Sequence, residues 1–285
     1  MCGAVQLHLP AWGNLHQPFA PHQRLRLPSL PHHSLSNTVP LDLPRIRAIT
    51  LDLDDTLWPV WPTIARAEAQ LQAWLAEHAP ATHALAAQPG LVRSIRAQVQ
   101  AEHVALAHDM SALRHEAIRR TLLHAGDNPA LADGAFEVFY AERQRVDLFD
   151  DALPALEYLS SRFPLIALSN GNADIERVGL GRYFHASVSA RDAGVAKPDV
   201  RIFQRGAEAA GVSAAQVLHV GDDALIDAQG ALDAGMQAVW LQRPRVDGAA
   251  LNPAHGASSH ATLAVAPACV SVDNLHALCR LLALA

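Results

Sequence analysis

Cysteine is scarce, and what there is forms no pattern. Cys2, Cys269 and Cys279 are the three thiols of a 285-residue chain. They make no CxxC pair and suggest no disulfide framework, which suits a reducing cytoplasm. Excess positive charge is also missing. The net charge is -6 and no long basic run occurs, so an electrostatic footprint for nucleic acid is not expected. No apolar stretch approaches the ~20 residues of a membrane-spanning helix. The opening "MCGAVQLHLPAWG" lacks the basic-then-apolar order of a signal peptide. Histidine is plentiful at 16 residues, but none falls in an HExxH or similar spacing, so the histidines are read as solvated or packed.

Half of the residues are hydrophobic, enough for a substantial core with a smaller satellite domain. Residues 1–43 carry Pro10, Pro18, Pro21, Pro28, Pro31 and Pro40 without steady periodicity. That spacing resists helix and sheet and predicts a flexible tail. "IRAITLDL" then reads as a buried strand. From 62 to 146 the period becomes helical. One face of the first helix gathers Ile64, Ala67, Leu71, Trp74 and Leu75, and a second helix gathers Leu113, Ile118, Leu122 and Leu123, with Gly126 as its stop. After 147, strands "FPLIALSNGN", "HASVSARDAG", "QVLHVGDD" and "MQAVWLQR" alternate with helices beginning near Asp151, Ala173, Pro198 and Leu225. Such alternation predicts an α/β fold with a parallel sheet and helices on both faces. The expected organisation is a tail at 1–43, a discontinuous α/β core at 44–61 and 147–285, and an all-helical insertion at 62–146.

Polar residues collect where the apolar strands stop. Asp52, Asp54, Asp55 and Thr56 follow the first strand; Ser169, Asn170, Gly171 and Asn172 end the second; Lys197 precedes Pro198; and Asp222, Asp223 and Asp227 follow "VLHVG". Taken singly, each cluster is an ordinary turn or helix start. Together they are four polar clusters at matched strand ends. In an open parallel sheet the ends of the strands meet in one crevice.

In this order and strand context, "DLDDT", Ser169, Lys197 and "GDDALID" resemble the four motifs of the haloacid dehalogenase superfamily. The resemblance runs from about residue 45 to the C-terminus. It implies a Rossmann-like core, with the helical block as an inserted cap. It also implies Mg²⁺-dependent chemistry through an aspartyl-phosphate. Asp52 would be the nucleophile and Asp54 the general acid. Mg²⁺ would be held by Asp52, the backbone carbonyl of Asp54, and Asp222. Ser169 and the amides of Asn170 and Gly171 would bind the phosphoryl oxygens. Lys197, at a helix start, would supply positive charge, and Asp227 would orient it or a metal-bound water. Asp223 has no settled role, and Thr56 would shape the turn. An acid at position 54 resembles the phosphomonoesterase branch rather than the dehalogenases.

The motifs say nothing of the leaving group. Trp58, Trp61, His108 and Arg114 are candidates for contacting it, each with packing or solvation as the plainer alternative. "LSNGNADIERVGLGRYF", "GVAKPD" and "VLHVGDDALIDAQGALDAGMQAVW" resemble the branch acting on 5-amino-6-(5-phospho-D-ribitylamino)uracil in riboflavin synthesis, and FMN phosphatases. The partner is then a small phosphorylated metabolite. The alternatives are a phosphatase for a sugar phosphate, phosphoglycolate or a nucleotide, or a non-catalytic binding module.

Overall fold

The structure is a computed structural model and describes residues 40–243 and 268–283. The expected tail lies outside the described residues up to position 39. Leu41 and Leu43, assigned to it above, pack against the core.

Six strands form one sheet: β1 (Ala48–Leu51), β2 (Leu165–Ser169), β3 (Ala186–Ser189), β4 (Val217–Gly221), β5 (Gln237–Leu241) and β6 (Val270–Val272). Their order is β3-β2-β1-β4-β5-β6 and every pairing is parallel. The three central strands are buried along their whole length, as a sheet covered on both faces requires. Strand alternation separates two apolar layers. Ile49 and Leu51 face one with Leu156, Leu159 and Leu278, while Ala48 faces the other with Ile202, Phe203 and Met236.

Between β1 and β2 the chain forms α1 (Val60–His78), α2 (Pro80–Ala84), α3 (Pro89–Glu102), α4 (Met110–Ala125) and α5 (Ala132–Arg143). These helices build their own cluster from Ile64, Ala67, Leu71, Leu75, Ile118, Leu122, Ala135 and Phe139, with Trp74 half-buried against it. Gly126 ends α4 at φ 84°. Leu123 departs from the expectation and is exposed. Ile118 and Leu122 share a face four residues apart, and the next residue turns about 100° away from it.

The remaining helices are α6 (Ala152–Ser160), α7 (Ile175–Val178), α8 (Ala190–Ala193), α9 (Val200–Ala209), α10 (Gly230–Asp233) and α11 (Leu275–Leu282), with a π-helix over Ala224–Gln229. The third expected strand is shorter than "HASVSARDAG", because Ser189 caps α8. No helix among the described residues is long and apolar enough to cross a membrane.

Candidate active site

β1 lies between β2 and β4, so the three segments that leave these strands at their carboxyl ends are neighbours. Asp52 follows β1, Ser169 ends β2, and Asp222 follows β4. The loop after α8 delivers Lys197, the single lysine of the chain. Its ammonium Nζ donates to Asp52 Oδ1 at 2.5 Å and to Asp227 Oδ1 at 2.7 Å, and all three side chains are buried. The helix expected to begin at Pro198, directly after Lys197, begins later. Asp199 caps α9 and the helix begins at Val200. The positive end it was read against therefore lies further along the chain.

Asn170 holds the lysine loop in place. Its Oδ1 accepts from the Lys197 backbone N at 2.7 Å, and its Nδ2 donates to the Lys197 carbonyl at 2.9 Å. Next to it the Gly171 amide donates to Ser169 Oγ at 2.9 Å. A Cβ at Gly171 would lie 2.5 Å from Asp54 Oδ2 and 3.3 Å from Ser169 Oγ, so only glycine lets this loop approach the first motif.

One ammonium serves several carboxylates. Burial pushes Asp52 up to about 7; Asp227 and Asp54 add to the effect and Lys197 opposes it. Burial, with Asp52, Asp227 and Asp55 nearby, raises Asp222 well above the usual carboxylate range. Burial would also raise Asp227, but Lys197 and His219 more than reverse this and hold it low. Burial works against the Lys197 charge, yet Asp227 and Asp52 raise its pKa above the ordinary value.

Carboxylate oxygens of Asp52, Asp222 and Asp227 lie within 4.8 Å of one another. A hard divalent cation takes such oxygen ligands, and surplus buried carboxylate is what it would neutralise. The residues therefore fit Mg²⁺. Asp227 is the least available of the three. Its Oδ1 accepts from Lys197, and from His219 Nε2 at 3.3 Å, while its Oδ2 accepts from the Asp223 amide at 3.0 Å. Asp223 Oδ1 caps Leu225 and Ile226 at 2.8 Å each. Thr56 is fully buried, and its hydroxyl donates to Asp222 Oδ1 at 3.4 Å.

Asp54 is held from two sides. Trp58 Nε1 donates to its Oδ1 at 2.8 Å. From the end of α5, Arg143 Nη2 donates to Oδ1 at 2.7 Å and Oδ2 at 2.6 Å. The turn depends on Asp55, a non-glycine residue at φ 57° whose carboxylate accepts from the Val60 amide at 2.9 Å.

The leaving-group candidates have different surroundings. Trp58 is fully buried in the core, so it cannot stack on a ring; its indole N–H anchors Asp54 instead. Trp61 packs against the helical cluster. Arg114 bonds Glu68 at 2.5 Å and lies over the Phe139 ring at 3.9 Å. His108 is half-buried just before α4, the start of which meets the second-motif loop where Asn172 Nδ2 donates to Ser111 Oγ at 3.1 Å. Arg143, Gln144 and His219 were missed. Gln144 fastens the second-motif loop, accepting from the Asp174 amide at 2.7 Å and donating to the Asn172 carbonyl at 3.3 Å. His219 also bonds Thr50 Oγ1 through Nδ1 at 2.8 Å.

Residues 46–235 match the family model described as haloacid dehalogenase-like hydrolase. The 5-amino-6-(5-phospho-D-ribitylamino)uracil phosphatase YigB of Escherichia coli is 34% identical over 70% of this chain and 85% of its own. The phosphoserine phosphatase of Thermus thermophilus is 31% identical over 73% of this chain and 86% of its own. Among solved structures, the 2-haloacid dehalogenase of Pseudomonas syringae pv. tomato DC3000 superposes with TM-score 0.72 at 36% identity, covering 84% of this chain and 98% of that one. The chain belongs to the haloacid dehalogenase-like hydrolases.

Proposed function

We propose that this haloacid dehalogenase-like hydrolase is a Mg²⁺-dependent phosphatase of a small metabolite, acting through an aspartyl-phosphate. The observation that carries the reading is the pairing of two acids with different surroundings at the end of β1. Asp52 is buried against Lys197, and Asp54 sits two residues on, engaged by Trp58 and Arg143. Asp52 attacks phosphorus and the bond from phosphorus to the ester oxygen breaks. Asp54 gives that oxygen its proton, then takes one from the water that cleaves the acyl phosphate. Ser169, the Gly171 amide and Lys197 bind the phosphoryl oxygens. Asp52, Asp222 and the Asp54 carbonyl would hold Mg²⁺, which when bound would neutralise the crowded negative charge.

The similarity to the E. coli and T. thermophilus phosphatases supports this class. The first favours 5-amino-6-(5-phospho-D-ribitylamino)uracil, with FMN beside it, as the substrate to try before sugar phosphates, phosphoglycolate or nucleotides. Cys269 and Cys279 are free thiols, which agrees with a cytoplasmic setting.

The similar dehalogenase structure supplies a second reading. A halide leaves without a proton, so that reaction has no use for an acid at position 54. Phosphate release from p-nitrophenyl phosphate with Mg²⁺, then from a panel of phosphorylated metabolites, tests the proposal against chloride release from 2-chloropropionate. Chloride release without phosphatase activity would overturn it.

A further inference from the structure

Among the described residues, two buried side-chain polar atoms have no partner, Arg143 Nη1 and Asp223 Oδ2. The first belongs to a charged group that is 1% exposed. An unpaired donor on a buried guanidinium is costly, and such a group invites an acceptor that arrives from outside. Arg143 is also firmly placed. It closes α5, four residues after the buried Phe139 on the same face. The next residue, Gln144, ties the helix end to the Asn172–Asp174 loop. The guanidinium borders the second-motif loop as well, since a Cβ on Gly171 would lie 3.4 Å from Nη2.

Resting on the phosphatase reading, we propose that Arg143 is the residue by which the helical layer selects the leaving group. Nη2 holds Asp54, and Nη1 binds an oxygen on a carbon adjacent, or next but one, to the ester-bearing carbon. The leaving oxygen must come within hydrogen-bond distance of Asp54 to receive its proton. The two amines share one planar carbon, so an acceptor on Nη1 lies beside that oxygen. Phosphoryl oxygens already have Ser169, the Gly171 amide and Lys197. The favoured class is therefore phosphate esters of polyols and hydroxy acids, above esters of plain alkanols.

The test compares erythritol 4-phosphate with 1-butyl phosphate, two four-carbon primary esters that differ in the neighbouring hydroxyls. Wild-type enzyme should favour the polyol ester in kcat/KM by about 10- to 100-fold, the range of a hydrogen bond to a charged group. Arg143→Met and Arg143→Lys should both slow the two substrates by a shared factor, because Asp54 loses its anchor. They should also collapse the polyol preference, mostly through KM. A purely structural role, or a contact with the phosphoryl group, would slow both esters equally and leave the ratio intact; that result overturns the proposal. So does a wild-type enzyme with no preference, a measurement that needs no variant to fold. A wild type inactive on both esters and on p-nitrophenyl phosphate fails differently, by overturning the phosphatase reading itself.

Discussion

The strand-end site and the helical layer above it treat charge in opposite ways. At the strand ends, Lys197 is 2% exposed and bonds two carboxylates that are almost as deeply buried. Pairs made by the helical layer are more open to water: Arg119 with Glu116 has side chains 41% and 22% exposed, and Arg66 of α1 reaches Asp147, whose side chain is 78% exposed. Exposed pairs are cheap to rearrange and contribute little, whereas a buried group left without its partner is expensive. The reaction is thus written into the part of the molecule that tolerates least change. Selection of substrate is left to the part that tolerates more, and Arg143 is where the second part reaches the first.

The contrast predicts a graded series. Asp52→Asn should abolish turnover of every phosphate ester, because no acyl phosphate can form; retained kcat would place the nucleophile elsewhere. Asp54→Asn comes next, with a loss of about 10²–10⁴-fold on alkyl esters and a smaller effect on loss of p-nitrophenolate, which leaves without a proton. Lys197→Met should lower stability by about 3–5 kcal/mol, read from urea denaturation in EDTA, since Asp52 and Asp227 would stay buried without their cation. Arg66→Ala, in the helical layer, should cost no more than about 1 kcal/mol and leave kcat unchanged. Equal costs at Lys197 and Arg66 would erase the distinction.

A pH series sharpens the same point. Asp52 titrates near 7 in the folded protein, mainly through burial, against about 3.9 for a free aspartate. Between those values the folded state binds the extra proton. The stability this group contributes is therefore full below about 3.9 and is lost as pH rises through about 7. In EDTA, the melting temperature of wild type relative to Asp52→Asn should fall from pH 5 to pH 8. A flat difference would contradict the burial argument.

What the sequence revealed tracks how local the signal is. Asp52, Ser169 and Asp222 each sit at the end of an apolar run, and parallel-sheet topology brings such ends together whatever the loops between them. The helical period in α1 and α4 was readable for the same local reason. Arg143 had no such mark: it stands in a run of helical polar residues, and its target lies 89 positions away. The one clue to Lys197 beyond its motif, that the chain has no other lysine, was open to composition alone. Trp58 could be read either way, since an indole after a motif serves equally as a ring platform or as packing, and packing was the plainer reading. Only packing decides whether its face is free, and here it is buried.

The central claim is that Asp52 takes the phosphoryl group and Asp54 moves the proton. Pre-steady-state release of p-nitrophenol from p-nitrophenyl phosphate by the two asparagine variants, each checked for a native fold, tests it most directly. Asp54→Asn should give a burst of about one product per enzyme and then stall, since the acyl phosphate forms but is hydrolysed slowly. Asp52→Asn should give neither burst nor turnover. A burst from Asp52→Asn, with Asp54→Asn unimpaired, would contradict the assignment of both acids.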